Sequence, residues 1–62
     1  MNSDKLEKLR GKKIILFTMN GFRFQGSVKD VDDTFIEIFD DIKHVMKMIN
    51  IKEIAEIEVK DA

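Results

Sequence analysis

The sequence predicts a mainly β fold, in which a short N-terminal helix precedes five strongly bent antiparallel strands that form a small, partly open barrel. Asn20 and Gly21 join two runs that alternate like half-buried strands, which predicts a β-hairpin closed by a two-residue type I′ turn. Gly26 stands inside the second run, where a long strand bends sharply or accepts a close neighbour. Only Lys52 and Glu53 separate the last two apolar runs, so the chain is expected to turn a corner there without folding back.

Residues 4–10 are predicted to form the helix. Asp4 stands where a helix cap is expected, and Gly11 can end the helix in a left-handed conformation. Leu6 and Leu9 lie on one side of it. Because a helix of about two turns is unstable alone in water, both leucines are expected to pack on the strands.

The strands follow from a change of period to two. They are predicted at residues 13–19, 22–29, 35–39, 44–51 and 54–59. The first is apolar on both faces, which predicts a strand that is covered on both sides or lies at an interface. Residues 30–34 read as a tight acidic turn between the second and third strands.

Composition limits the function classes. The 62 residues contain no proline, linker or repeat, so residues 1–62 are predicted to be one domain, with the barrel at residues 12–59. With no cysteine and one histidine, neither a disulfide scaffold nor a structural zinc site is expected. No apolar run is long enough to span a bilayer, and the N-terminus is unlike a signal peptide. We expect a cytoplasmic protein with no membrane partner.

The charge balance argues against uniform binding along a duplex. Eleven Lys and Arg against twelve Asp and Glu give a net charge of −1, whereas duplex-binding domains usually carry a basic excess. Two local basic clusters stand out, and each is either a binding patch or simply a solvated face. They are Arg10, Lys12 and Lys13, and Lys43, His44 and Lys47.

Catalysis is not expected. A barrel this small offers no cleft for a small-molecule substrate, and no nucleophile stands near His44 in sequence. The aspartates lack the spacing of a calcium loop and are interpreted as turn formers. No cofactor or metal is therefore predicted, and the protein is expected not to be an enzyme.

A resemblance to a known family covers nearly the whole chain. Residues 11–28, followed by Asp32 and then residues 35–36, resemble the first conserved block of the Sm-like proteins, most closely in their Hfq-like branch. Residues 49–54 resemble the weaker second block. The resemblance implies a helix that caps a five-stranded barrel, with subunits joined edge to edge in a homo-oligomeric ring of roughly five to seven copies that binds single-stranded RNA.

The residues themselves also favour a ring. A small barrel leaves unpaired edge strands, and here the fourth and fifth strands are apolar and lack proline. A few hundred Å² of apolar contact contributes roughly several kcal/mol before association costs, which is comparable with the stability of a domain this small. The predicted interface residues are Val45, Met46, Met48, Ile49, Ile51, Ile54 and Ile57.

Two RNA-binding faces follow from the resemblance. Phe17 matches the aromatic residue that lies against adenine in Hfq-like proteins, and four further residues match positions that line that pocket: Gly21, Phe22, Arg23 and Gln25. The opposite, pore-side face would use Asp32, Thr34, Asn50 and Lys52, but Thr34 stands where relatives carry a stacking side chain. Arg10, Lys12 and Lys13 would form a lateral basic rim. The alternative is that Phe17 only packs against Met19 or a neighbouring subunit.

Two functions of different class therefore stay open. One is an RNA-binding ring that holds short A-rich or U-rich single strands, as an RNA chaperone or a scaffold in RNA metabolism. The other is a structural or protein-interaction ring of the same fold that has lost RNA binding, which the acidic balance and Thr34 favour.

Overall fold

A computed structural model of the protein describes residues 4–60. Helix α1 (Asp4–Glu7) precedes five strands: β1 (Lys13–Thr18), β2 (Arg23–Val31), β3 (Phe35–Asp40), β4 (Val45–Asn50) and β5 (Ile54–Val59). They form one antiparallel sheet in the order β4-β3-β2-β1-β5. The predicted mainly β architecture is confirmed, and every strand boundary lies within two residues of its predicted position.

The predicted corner after β4 is a single 3₁₀ turn, Ile51–Glu53. The Asn50 side chain opens it by accepting a hydrogen bond from the Lys52 N–H at 2.9 Å. The strands on either side of this turn do not pair with each other, because β4 and β5 lie at opposite ends of the sheet order.

The helix is shorter than predicted, since only Asp4–Glu7 of residues 4–10 is helical and a turn follows to Gly11. The N–H groups of residues 8–10 bond to carbonyls three residues earlier, at 2.9–3.3 Å, which is the tighter 3₁₀ pattern. Gly11 has φ +85°, and its N–H donates to the Val28 carbonyl of β2 at 2.8 Å. The segment is therefore tightened to reach the sheet. The predicted cap, the side chain of Asp4, lies outside the described part.

The core lies on the concave face of the sheet. Its buried members are Ile14, Leu16, Val28, Val31, Ile36, Ile38 and Ile49. Leu6 and Leu9 pack against it, as the helix pattern predicts. Ile49 was predicted at a subunit edge but is only 7% exposed within the protomer, so it belongs to the core. Ile15 is buried on the other face of β1, in line with the predicted cover on both sides of that strand.

Strand β2 serves two neighbours with different halves. Residues 23–27 pair with β1 and residues 26–31 with β3, so the two ladders overlap at Gly26 and Ser27. A side chain on Gly26 would lie 2.7 Å from the carbonyl carbon of Phe39 and closer still to its oxygen. The predicted close neighbour of Gly26 is therefore the backbone of β3. Beyond it β2 runs to Val31 with an irregular register, which narrows the predicted acidic turn to residues 32–34.

The β1–β2 hairpin is confirmed, but its turn is not the predicted type I′, which requires positive φ at both Asn20 and Gly21. Only Gly21 has it, at +92°. The Gly21 N–H donates to the Thr18 carbonyl at 3.1 Å, and the Phe22 N–H donates to the Thr18 hydroxyl at 3.0 Å. That hydroxyl donates in turn to the Asn20 side chain at 2.7 Å, which holds a longer turn ending in a left-handed glycine.

Aspartates form the next two turns, as predicted. The Asp32 carboxylate accepts hydrogen bonds from the N–H groups of Thr34 and Phe35, both at 2.8 Å. The Asp40 carboxylate accepts from the N–H groups of the next turn at 2.8 and 3.0 Å. These N–H donors lower the pKa of both carboxyl groups below the ordinary value of 3.8.

Replacing Gly26 should disrupt the fold. We expect Gly26→Ala to lower the free energy of unfolding by about 3 kcal/mol or more, because the clash is with backbone that no side-chain rotation relieves. Urea unfolding followed by circular dichroism measures this, with the neighbouring Ser27→Ala as the matched control. A loss of less than about 0.5 kcal/mol for Gly26→Ala would show that β2 does not press against β3.

Acid should destabilise the fold through Asp32 and Asp40. A carboxyl group whose folded pKa lies below its unfolded pKa contributes stability that is complete above the unfolded value of 3.8. That contribution is lost as the pH falls through the folded pKa. The free energy of urea unfolding should therefore fall between about pH 6 and about pH 2.5, and Asp32→Asn should fall less steeply because the amide does not titrate. A wild-type value that does not change over this range contradicts the assignment.

Candidate nucleic-acid interface

Three of the predicted purine-face residues lie together on the convex face of the sheet. Phe17 of β1 pairs with Arg23 of β2, and Ile15 pairs with Gln25 two residues along. Paired residues in an antiparallel ladder share a face, so Phe17, Arg23 and Gln25 surround the buried Ile15. The Arg23 guanidinium donates to the Gln25 side-chain oxygen over a long 3.4 Å. Phe17 and Gln25 are half-buried and Arg23 is exposed, so a flat apolar patch has two polar groups beside it.

The other two predicted members lie apart from this patch. Gly21 is the left-handed residue of the hairpin turn. Phe22 is 59% exposed, but its ring centroid lies 6.4 Å from that of Phe24, a residue that packs against the core. Phe22 therefore extends the core side of β2 at the tip of the hairpin.

Sequence reasoning missed two carboxylates on the same face. Strand β5 pairs with β1 so that Glu56 stands opposite Phe17 and Glu58 opposite Ile15. Both glutamates are exposed. The patch is thus bordered by Arg23 on one side and by two carboxylates on the other. The alternating glutamates of β5 are visible in the sequence, but their position beside Phe17 depends on a pairing between the first and last strands.

The pore-side residues are brought close by the contact between the β2–β3 turn and the end of β4. The Ile51 N–H donates to the Thr34 carbonyl at 2.9 Å, and Asn50 pairs with Phe35. The oxygens of Asp32 and Asn50 accept hydrogen bonds from backbone N–H groups nearby. Both side chains thus have a structural role in this protomer.

An aromatic side chain does stand beside this face, one position after Thr34. Phe35 is 36% exposed and lines a shallow cleft together with Met48, which is 62% exposed. Asp30, Asp32 and Glu37 line the same cleft. The sequence analysis considered only position 34 for stacking, and the adjacent Phe35 is the residue it missed.

The lateral basic rim is largely neutralised. The Arg10 guanidinium donates to both oxygens of Glu7 at 2.8–3.2 Å and to Asp30 at 2.6 Å. Hydrogen bonds to Glu7 first and Asp30 second raise the pKa of Arg10, and Arg10 lowers the pKa of Asp30. The Lys13 ammonium lies 3.3 Å from the Asp41 carboxylate. A phosphate at this rim would compete with these carboxylates for both cations.

The second basic cluster is divided between two faces. Lys47 is half-buried, and its ammonium lies 5.5 Å from the centroid of the Phe24 ring, in a cation–π contact. His44 is exposed in the turn before β4, with φ +59°, and its ring lies 6.1 Å from that of Phe39 in an edge-on arrangement. Lys43 is exposed in the same turn. The three side chains do not form a single patch.

The predicted subunit contacts lie on the two edge strands, β4 and β5. Val45, Met46 and Met48 are exposed on β4. Ile51, Ile54 and Ile57 are half-buried around the 3₁₀ turn and along β5. Each edge therefore combines unpaired backbone groups with apolar side chains.

Two searches of residues 4–60 gave negative findings. No helix there is long and apolar enough to cross a membrane. No group of three or more His, Cys, Asp or Glu side chains among these residues is placed to hold a metal ion.

Comparison with known proteins identifies the fold. No protein-family model matches the chain, and no curated relative matches it. A crystal structure of the pleiotropic translational regulator Hfq is similar to it with a TM-score of 0.81 and 19% sequence identity. The match covers 92% of this chain and 95% of the Hfq chain. The chain has an Sm-like fold of the Hfq type.

Proposed function

We propose that the protein is a cytoplasmic, ring-forming protein that binds short A-rich or U-rich single-stranded RNA without catalysis, as an RNA chaperone or a scaffold in RNA metabolism. The observation that carries the proposal is the convex patch of Phe17, Arg23 and Gln25 on an Hfq-type fold. An aromatic ring, a cation and an amide on one face are the groups with which proteins hold an unstacked base.

The patch suits recognition of a base more than of a phosphate. Phe17 offers a π-face, and the Gln25 amide can donate and accept at the edge of a purine. Glu56 and Glu58 repel phosphates but can accept hydrogen bonds from exocyclic amino groups. We therefore expect RNA binding that depends on base stacking and varies less with salt than binding through a basic groove.

Ring formation would multiply this weak site. Each copy contributes one patch, and several patches on one rigid ring bind successive nucleotides of a single strand at a high effective concentration. The exposed edges of β4 and β5 support such an assembly, because pairing them satisfies both backbones and covers Val45, Met46 and Met48.

A specific observation favours the alternative, a protein-interaction ring that has lost RNA binding. Arg10 and Lys13, the predicted rim cations, are held by Glu7, Asp30 and Asp41. Cations engaged in this way contribute little to phosphate binding, so this function would leave the ring without affinity for RNA.

Assembly is the first prediction. Light scattering coupled to size exclusion should give a mass several times the 7.2 kDa of the chain at about micromolar concentration, because the free edges leave too much apolar surface in water. A folded species of 7.2 kDa alone contradicts the ring.

Loss of the stacking ring is the second. We expect Phe17→Ala to weaken oligo-A binding by about 10- to 100-fold, since a base stacked on an aromatic side chain is worth about 1–3 kcal/mol. Fluorescence anisotropy with labelled oligo-A and oligo-U measures it. Phe35→Ala is the matched control, because it removes a ring from the pore-side cleft and should leave oligo-A binding unchanged.

The same titrations separate the two functions. Circular dichroism and light scattering first establish that both variants fold and assemble like the wild type. No saturable binding of either RNA by the wild-type ring at about micromolar concentration supports the interaction module. Equal losses for Phe17→Ala and Phe35→Ala would contradict a purine site on the convex face.

A further inference from the structure

The two free edges of the sheet carry opposite charges. From residue 42 to residue 52, along β4 and the turns that flank it, the ionisable side chains are all basic: Lys43, His44, Lys47 and Lys52. From residue 53 to residue 59, along β5, they are all acidic: Glu53, Glu56 and Glu58. The near-neutral total therefore hides two short segments of opposite sign at opposite ends of the sheet order.

These charges lie outward and have no partner of opposite sign within the protomer. Lys43 and Lys52 are exposed at the two ends of β4, and Glu56 and Glu58 are exposed along β5. In the part of the chain that the structure describes, none of these four side chains takes part in an ion pair. Arg10, in contrast, is held by two carboxylates of its own protomer.

We infer that this charge separation selects the partner of each edge: β4 of one copy pairs with β5 of the next, head to tail. The inference rests on the ring of the proposed function and adds the property that orients it. Backbone hydrogen bonds alone do not distinguish β4–β5 pairing from β4–β4 or β5–β5 pairing, because any two free edges can share a ladder. Side-chain charges do distinguish them, since like charges facing each other across a ladder are destabilising.

The selection excludes two-fold dimers. Joining β4 to β4 brings the lysines of two copies together, and joining β5 to β5 does the same with the glutamates, so both isologous contacts are repulsive. The head-to-tail contact puts lysines against glutamates, and each added copy exposes the same pair of edges again. A heterologous contact of this kind closes into a ring when its rotation allows.

Charge reversal tests the inference without RNA. Lys43→Glu/Lys52→Glu makes both edges acidic, and Glu56→Lys/Glu58→Lys makes both basic. Each variant alone should dissociate at a concentration at least tenfold higher than the wild type. An equal mixture should reassemble with the two chains in equal numbers, because each acidic edge then meets a basic one. Lys5→Glu/Lys8→Glu, which changes the net charge equally on and after α1, should assemble like the wild type.

Light scattering of the separate and mixed variants, with circular dichroism as the test of folding, gives the readout. Wild-type assembly should also weaken between about 0.1 M and about 1 M salt, as the Debye length falls from about 10 Å to about 3 Å. A wild-type ring whose variants assemble unchanged, or whose folded variants stay apart when mixed, overturns the inference and leaves the ring standing. A monomeric wild type removes the ring itself.

Discussion

The fold depends on one close approach between backbones, at Gly26. Here β2 is bonded to β1 on one side and to β3 on the other, and the carbonyl of Phe39 occupies the space that any side chain would need. Before this point β2 belongs to the β1 ladder, and after it to the β3 ladder. A nine-residue strand can change partners in this way only if it bends, and the bend wraps five strands around a core of seven buried residues.

The same bend produces the incomplete closure on which the proposed assembly rests. Five strands curl far enough to bury Ile14, Leu16 and Ile38 completely, yet β4 and β5 remain the two ends of the sheet. The 3₁₀ turn between them is short, so the unpaired edges are connected in sequence but face different neighbours. A protomer of this kind has one donor edge and one acceptor edge. That asymmetry is what a closed ring requires and a two-fold dimer does not use.

Much of this architecture follows from local chemistry that the sequence displays. Alternation located the five strands, and Gly26 in the middle of β2 indicated a close neighbour, because only glycine lacks the atom that would clash. The errors arose where side chains or distant strands override local preference. Asn20 and Gly21 favour a type I′ turn, but the Thr18 hydroxyl bonds to both Asn20 and Phe22 and holds a different one.

The candidate site was less predictable than the fold. Phe17, Arg23 and Gln25 share a face because β1 and β2 are joined by a hairpin, and a hairpin register can be deduced from adjacent residues. Glu56 and Glu58 reach that face through a pairing between the first and last strands, which no local pattern reveals. Arg10 was assigned to a basic rim by likeness, but Asp30 lies twenty residues away in sequence and meets it only once α1 docks on β2.

The position of each charge, more than the net charge, decides how RNA would be held. Asp30 pairs with Glu37 across the β2–β3 ladder, an unfavourable juxtaposition of carboxylates that the Arg10 guanidinium offsets. Arg10 therefore serves the fold first, since a phosphate that captured it would leave the two carboxylates facing each other uncompensated. Arg23 carries no such obligation, because its hydrogen bond is to the neutral Gln25 amide. Affinity for RNA then depends on the convex patch, where one cation and one aromatic ring adjoin two carboxylates, and stacking on Phe17 must supply what the rim does not.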